Sequence, residues 1–306
     1  MPLIAPHAES LAEVPARDGR LRVLGSDTWY RVYGPEDAAR TLVFVHGYRG
    51  DHHGLEPVVA RLPQYRIIAP DLPGFGHSSA FASRPHSVDS YVRWLRLFVA
   101  ALEAAGEIPV AGREVVLGHS FGSIVVAHAL AEGLEAAGVI LVNPITSDPR
   151  RATNPVLLLG TRGYYALGRA LPERAGRAWL GWGPTVAFMS LALTKTKDPS
   201  LRRWIREEHS RYFSNFASPA TASEGFEASL SAHVTEVAAR ITAPTLLIAG
   251  ERDDIAPLAG QRRALEEFPD ARLEVIPDVG HLIHYEQPAR AAELIAAFVD
   301  GLPARS

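Results

Sequence analysis

Short apolar runs bounded by turn residues recur along the chain. Six of them are rich in Val, Ile and Leu and too short for helices: Thr41 to Gly47, Tyr65 to Asp71, Arg113 to His119, Ala137 to Asn143, Pro244 to Gly250 and Arg272 to Asp278. Near-continuous apolar runs of this length are typical of strands buried on both faces of a parallel sheet. The preceding segment, GRLRVLGSDTWYRVYG, alternates apolar and polar positions, which predicts an antiparallel hairpin at the sheet edge.

Helical patterns separate these runs. They are SVDSYVRWLRLFVAALEAAG, SFGSIVVAHALAEGL, PLAGQRRALEEF and QPARAAELIAAFVDGL. The first begins at a serine and ends at a glycine, the residues that favour helix starts and stops. Because strand and helix alternate, the pattern predicts an α/β fold: a mostly parallel, eight-stranded sheet with helices on both faces.

The alternation stops at about Ile145 and resumes after Thr235. We therefore predict a core domain formed by residues 1–144 and 236–306, and a helical cap domain formed by residues 145–235. The cap segment has 12 basic and seven acidic residues, a net charge of +5, whereas the whole chain has a net charge of -3. Its aromatic residues have near-helical spacing, which favours packing inside the cap with one or two facing a substrate; they include Trp179, Trp182, Phe188, Trp204 and Phe213.

Composition excludes several classes of function. The chain has 306 residues, 47% of them apolar and 21% charged, so no broad surface for nucleic acid is expected. No uncharged apolar run is long enough to span a membrane, and the N-terminal segment lacks a signal-peptide pattern; we expect a cytoplasmic protein with no membrane partner. The chain has no cysteine, which excludes disulfides, thiolate catalysis and cysteine-ligated metals.

One serine lies between a predicted strand and a predicted helix. The sequence Gly118-His119-Ser120-Phe121-Gly122 matches the pattern G-x-S-x-G. A serine at such a turn is held in strained geometry with its hydroxyl exposed, and the flanking glycines let strand and helix approach each other. The motif alone is weak evidence, since a serine at a helix start is also a common N-cap. Its context favours a nucleophile.

A serine nucleophile needs a base, and the base needs an orienting partner. Asp253 follows one predicted strand and His281 follows the next, so the order is serine, aspartate, histidine, with all three on loops at one sheet edge. Asp254 competes with Asp253 for the acid position. Asn143, at the end of the strand before the insertion, is never ionised and could not stabilise an imidazolium by charge.

Two backbone amides are candidates for binding a developing oxyanion. His46-Gly47 ends the first long strand, so the amide of Tyr48 could point at the same oxygen as the amide of Phe121 at the helix start. A loop with the sequence DLPGFGHS follows the next strand, and we expect it to frame the pocket rather than to react.

Taken together, the motifs HGYRG, DLPGFGHS, GHSFGS, GERDDIAP and VGHLIHYEQP resemble those of α/β-hydrolases with a helical cap, over about Arg20 to Leu302. The resemblance implies that Ser120 is the nucleophile, His281 the general base and then acid, and Asp253 the orienting acid, with Tyr48 and Phe121 as oxyanion donors. It also implies that no cofactor or metal is needed. The acid position implied is Asp253, because of its spacing from Gly250 and Pro257.

The leading hypothesis is hydrolysis of a small or medium-sized carboxylic ester or lactone through an acyl-serine. The alternative is a carbon–carbon bond hydrolase of a carboxylate-bearing ring-cleavage dienoate. Carbon–carbon bond hydrolases of this kind usually have tryptophan after the catalytic histidine, where this chain has Leu282. Cap arginines would then bind the carboxylate, the candidates being Arg150, Arg151, Arg162, Arg202, Arg203 and Arg206. A third hypothesis is a non-catalytic protein that binds a small molecule.

Overall fold

A computed structural model describes residues 5–108, 112–152 and 155–303. Within these residues, eight strands form one sheet in the order β1-β2-β4-β3-β5-β6-β7-β8. The strands are β1 (Ala16–Val23), β2 (Ser26–Tyr33), β3 (Thr41–Val45), β4 (Arg66–Pro70), β5 (Val115–His119), β6 (Gly138–Val142), β7 (Thr245–Gly250) and β8 (Ala271–Ile276). Only the pairings of β2, with β1 and with β4, are antiparallel in this sheet. The predicted α/β fold class is confirmed.

The eight strands coincide with the apolar runs and with the predicted edge hairpin. In the hairpin, Val23 pairs with Ser26 across the turn and Ala16 pairs with Tyr33 at the far end. The five strands β3 to β7 are buried along their whole length. The prediction of burial on both faces is wrong for β8, which is half-exposed because it forms the other edge of the sheet.

Helices connect and cover the strands. They are α1 (Ala8–Ala12), α2 (Glu56–Val59), α3 (Val88–Ala104), α4 (Phe121–Ala131), α5 (Pro149–Ala152), α6 (Pro155–Ala170), α7 (Glu173–Leu180), α8 (Gly183–Leu193), α9 (Pro199–Tyr212), α10 (Pro219–Ser229), α11 (Leu258–Leu265), α12 (Ile283–Glu286) and α13 (Pro288–Asp300). Short 3-10 helices lie at His52–Leu55, Val234–Glu236 and Ala238–Arg240. No helix in the described ranges is long and apolar enough to cross a membrane.

The core consists of two apolar layers, one on each face of the sheet. Val116 of β5 packs in the cluster that contains helices α3 and α4, whereas its neighbours Val115 and Leu117 pack in the cluster that contains α13. This alternation follows from the two-residue period of a strand. Helix α4 is buried on nearly all sides, as its apolar sequence predicts.

Between β6 and β7 the chain forms helices α5 to α10, in the segment predicted as the cap. The domain boundaries at residues 144 and 236 stay a prediction. The expectation that the aromatic residues pack inside the cap is wrong for Trp182 and Phe188, which are 57% and 69% exposed. Trp182 lies at the start of α8 and Phe188 lies within it. Helix α8 packs mainly against α9, which covers only one side of it, and these two residues lie outside that contact. Trp204 is buried, in edge contact with Tyr285.

Candidate active site

The turn between β5 and α4 holds Ser120 in an unusual backbone conformation, with φ of 53° and ψ of -118°. Positive φ is strained for a residue with a Cβ, so the surrounding turn must enforce it. Glycine is required on both sides. A Cβ on Gly118 would lie 2.5 Å from the carbonyl oxygen of Gly122, and a Cβ on Gly122 would lie 2.3 Å from that of Val45. The strand and the helix therefore meet closely enough to project the serine hydroxyl outward.

Ser120, His281 and Asp253 form a continuous hydrogen-bonded chain. The distance from Ser120 Oγ to His281 Nε2 is 2.7 Å, and that from His281 Nδ1 to Asp253 Oδ2 is 2.7 Å. Because a carboxylate only accepts, Nδ1 must carry the proton, and Nε2 is left to accept from the serine hydroxyl. This is the tautomer in which the imidazole acts as a base toward serine.

Asp253 is held as a buried anion. Burial by itself opposes ionisation, but the His281 ring and the amides of Ile255 and Ala256 outweigh it, so the pKa of Asp253 lies below its usual range. Those amides donate to Oδ1 at 2.8 and 3.0 Å. The competing Asp254 has an 80% exposed side chain that pairs with Lys195 instead. The structure thus places only the first of these two carboxylates against the histidine.

The two predicted oxyanion donors lie next to Ser120. Phe121 is the first residue of α4, so its amide has no acceptor within the helix. The loop that carries Tyr48 packs directly on the serine, because a Cβ on Gly47 would lie 3.2 Å from Ser120 Cβ. Tyr48 and Gly47 both line the cavity in front of the serine. Both residues are therefore neighbours of Ser120, one along the chain and one through the Gly47 loop.

Sequence reasoning missed Arg49, which follows Tyr48 and is only 1% exposed. Its guanidinium donates to the carbonyl oxygens of Phe213 and Leu180, each at 2.9 Å, and to the hydroxyl of Tyr165 at 3.3 Å. It also lies 4.4 Å from the ring centre of Phe213. These groups belong to helices α6 and α7 and to the end of α9, so one side chain ties the Tyr48 loop to three cap helices. The only sequence signal was an arginine in the HGYRG motif.

The sequence indicates for Asn143 only an uncharged residue at a possible acid position. In the structure its Nδ2 donates to the carbonyl oxygens of Gly280 and His281, at 3.1 and 3.0 Å, and its Oδ1 accepts from the amide of Gly250 at 2.7 Å. Its own backbone has a positive φ of 44°. The side chain therefore fixes the histidine loop against the ends of β6 and β7.

Ser123, one turn into α4, connects the serine turn to the beginning of the cap segment. Its Oγ donates to the carbonyl oxygen of Ser120 at 2.5 Å and accepts from the amide of Ile145 at 3.2 Å. The side chain is fully buried. A glycine at this position would lose both bonds, so the serine contributes to the fixed geometry of the turn.

The DLPGFGHS loop frames the site through a buried carboxylate. Asp71 accepts from the amide and the Nδ1 of His52, at 2.8 and 2.9 Å, and from the amide of His77 at 2.8 Å. Asp51, His52 and His53 offer metal-ligand atoms within 4.8 Å of one another in the described part of the chain. Asp51 Oδ1, however, accepts from the amide of His53 at 3.1 Å. Because this oxygen already stabilises the loop, we assign the three residues a structural role.

A cavity of about 100 Å³ lies in front of Ser120. It is lined by polar aromatic side chains and a few apolar ones, among them His119, His209, His284, Tyr212, Tyr285, Leu193, Phe213 and Leu282. Burial and the neighbouring His281 lower the pKa of His119 to about 3, and burial lowers that of His209 to about 4. The His119 and His209 rings are therefore neutral near pH 7.

The chain belongs to the alpha/beta hydrolase family, because residues 42–294 match the model of that family. Lipase LipV of Mycobacterium tuberculosis is 30% identical over 276 residues, which cover 86% of this chain and 94% of that protein. A 2-hydroxymuconate semialdehyde hydrolase of Pseudomonas putida is 28% identical, with 76% of each chain covered. The enol-lactonase of Burkholderia xenovorans LB400 has the same fold, with a TM-score of 0.71, 21% identity, and 92% of this chain and 100% of that chain covered. By family, the protein is a hydrolase.

Proposed function

We propose that this protein is a serine hydrolase that cleaves a small carboxylic ester or lactone through an acyl-serine intermediate. The observation that carries the proposal is the hydrogen-bonded chain from Ser120 through His281 to Asp253, with both distances at 2.7 Å. The similarity to a lipase and to an enol-lactonase supports the same reaction class.

The proposed reaction has two halves. Ser120 Oγ attacks the carbonyl carbon while His281 Nε2 takes the hydroxyl proton, and the carbonyl oxygen becomes an oxyanion opposite the amides of Tyr48 and Phe121. The oxyanion then collapses, the carbon–oxygen bond to the alcohol breaks, and His281 returns the proton to that alcohol. Water repeats the sequence on the acyl-serine and releases the acid. Throughout, the anionic Asp253 stabilises the imidazolium that forms.

The small cavity favours a short acyl chain. Its volume of about 100 Å³ is below the range of roughly 300–1,000 Å³ that is usual for drug-sized ligands. We therefore expect acetate to butyrate esters to be hydrolysed faster than octanoate or longer esters.

The test is hydrolysis of p-nitrophenyl esters of increasing acyl length by the wild-type protein and by Ser120→Ala. We expect kcat/KM to peak at a short chain and to fall by at least about 10⁴-fold in the variant. Ser214→Ala is a matched control, since Ser214 lies outside the hydrogen-bonded chain. Full activity of Ser120→Ala would overturn the proposal.

The carbon–carbon alternative has less support from the geometry. Arg150 pairs with Asp148 and Arg162 pairs with Glu227, while Arg202, Arg203 and Arg206 line a groove away from Ser120. The side chain of Arg151 lies outside the described residues. No described member of the arginine set named from the sequence therefore lines the cavity, and we favour the ester or lactone reaction.

A further inference from the structure

An exposed recess of the cap lies outside the catalytic cavity, between α8 and α9. We call it the outer groove; its volume is about 600 Å³, and it is lined by Pro184, Ala187, Phe188, Ser190, Leu191, Thr194, Lys197, Pro199, Arg202, Arg203 and Arg206. None of these residues lines the cavity at Ser120. The groove therefore calls for an explanation beyond the proposed hydrolysis.

Helix α8 exposes apolar side chains that the fold does not cover. Residues Gly183–Leu193 include no charged side chain, and a helix that is apolar on every side is normally buried. Yet Phe188 and Leu191 are 69% and 56% exposed, and Trp182 at the start of the helix is 57% exposed. Large apolar side chains left exposed on one helix and at its start indicate a surface that contacts an apolar medium or partner.

Four exposed cations line the same groove: Lys197, Arg202, Arg203 and Arg206. None of them has an ion pair within residues 5–108, 112–152 and 155–303. The nearest acids in sequence do not line the groove. Asp198 accepts from the amides of Ser200 and Leu201 as the N-cap of α9, and Glu207 is half-buried. The groove thus combines protruding apolar groups with uncompensated positive charge.

We propose that the outer groove docks the protein onto an anionic lipid surface. Phe188, Leu191 and Trp182 would enter the boundary between headgroups and acyl chains, and the cations would bind lipid phosphates. Interfacial helices use this combination of aromatic and aliphatic groups with Lys and Arg, and each basic residue near an anionic leaflet adds to the attraction. This proposal revises the sequence-based expectation that the protein has no membrane partner.

The charge favours lipid over a second copy of the chain. A two-fold contact through this face would bring the four cations of one molecule toward the same four of the other, without an acid lining either groove. An anionic bilayer supplies the opposite charge over the whole face and an apolar layer beneath it. Leu193 of α8 and His209 of α9 line the catalytic cavity. Docking through the outer groove would keep these two residues facing the protein core.

The test is co-sedimentation of the full chain with phosphatidylcholine vesicles that contain none or about 30% phosphatidylglycerol. We expect binding to require phosphatidylglycerol and to fall between about 50 and 500 mM NaCl. The triple variant R202Q/R203Q/R206Q should lower the partition coefficient about 100-fold. The double variant F188S/L191S should lower it at least about tenfold.

Matched controls separate the groove from general charge and folding effects. The variant R93Q/R262Q/R263Q removes the same charge from exposed positions of the core, and L97S removes an exposed leucine from α3. Both should bind vesicles like the wild type. All groove variants should retain the melting temperature and the hydrolysis of p-nitrophenyl acetate without vesicles, which separates failure of docking from failure of the proposed reaction.

Three results would overturn the proposal. The first is no binding of the wild type to anionic vesicles at low salt, as expected if the groove binds an acidic protein instead. The second is equal loss of binding in R202Q/R203Q/R206Q and R93Q/R262Q/R263Q. The third is a dimer in sedimentation velocity that F188S/L191S dissociates, which would assign the face to a second copy.

Discussion

Asn143 acts on the catalytic histidine from a position where a carboxylate would fail. Its amide group supplies one acceptor and two donors, and all three are used between Gly250, Gly280 and His281. An aspartate could still accept from Gly250, but its second oxygen would face two carbonyl oxygens. An ionised carboxylate there would repel the histidine loop.

We therefore expect Asn143→Asp to unfold more easily, by about 2–3 kcal/mol, and to lose more kcat/KM at high pH, where the new carboxyl is ionised, than at low pH. Below its pKa the aspartic acid has one O–H to donate, so part of the contact returns. Thermal unfolding and pH–rate profiles measure the two effects. Asn215→Asp, at an exposed position, is the matched control and should change neither.

Glu114, directly before β5, makes the stability of the protein depend on pH. It is 1% exposed, and burial raises its pKa from 4.5 to about 7, against the opposing effect of backbone amides at Gly112 to Glu114. Between these values the folded protein holds a proton that the unfolded chain releases. The contribution of Glu114 to the free energy of unfolding is therefore highest below pH 4.5 and falls as the pH rises to about 7.

Replacing this carboxyl by an amide should remove that dependence. We expect Glu114→Gln to be more stable than the wild type by up to about 3 kcal/mol at pH 8 and nearly equal to it at pH 4.5. Urea unfolding at both pH values measures the difference. Glu266→Gln, at an exposed position of the core domain, should have the same unfolding free energy as the wild type at both pH values. A constant offset at both pH values would contradict the assignment.

At the scale of elements, Arg49 is the contact that makes the Tyr48 loop and the cap helices one unit. Arg49→Met would leave the carbonyl oxygen of Phe213 without its donor and that of Leu180 with the Tyr164 hydroxyl alone, at a cost of about 2–3 kcal/mol in unfolding free energy. Because Tyr48 is its neighbour, we also expect a fall in kcat. Stopped-flow or steady-state kinetics and thermal unfolding check this prediction.

The control for Arg49 is Arg174→Met, which removes an exposed arginine from α7. It should have near wild-type stability and kcat. If Arg49→Met kept full kcat while losing stability, the side chain would stabilise the cap without positioning the Tyr48 amide, and that part of the interpretation would fail.

The centre of the sheet was predictable because β3 to β7 have a neighbouring strand on each side and are buried along their whole length, which gives near-continuous apolar runs. The same holds for residues at strand ends: Ser120, Asp253 and His281 come together because parallel strands bring their carboxyl ends to one edge. Their proposed catalytic roles await the measurements above.

The cap was not predictable in the same detail. Its helices pack against one another and against the core, and the sequence pattern alone does not show which side faces which partner; α8 in particular has no polar side. Phe188 and Trp182 therefore looked like core residues but are exposed. Contacts such as those of Arg49 and Asn143 join residues far apart in sequence, and a single chain gives no local signal for them.

At the scale of the whole molecule, the cap is bonded to the core at several separate places. The amide of Gly76 donates to the carbonyl oxygen of Asn215 at 2.9 Å, beside the bridge between Phe75 and Phe216. On another side, Glu286 Oε1 accepts from the amides of Lys195 and Thr196, at 2.6 and 2.7 Å. With the buried Arg49, these contacts connect the cap to the core at the Tyr48 loop, at the DLPGFGHS loop and at α12.

Such a cap should unfold with the sheet and not before it. We expect native-state hydrogen exchange, followed by mass spectrometry at increasing guanidinium concentration, to give the same opening free energy for peptides of α7 and α9 as for peptides of β5 and β6. In Arg49→Met the cap peptides should open at a lower free energy than the sheet peptides, because the Arg49 hydrogen bonds between the Tyr48 loop and the cap are lost. In Arg174→Met the two sets of peptides should open at the same free energy. If the cap peptides of the wild type open at a free energy well below that of global unfolding, the contacts between cap and core open independently of the sheet. The Tyr48 loop would then be held in place without those contacts.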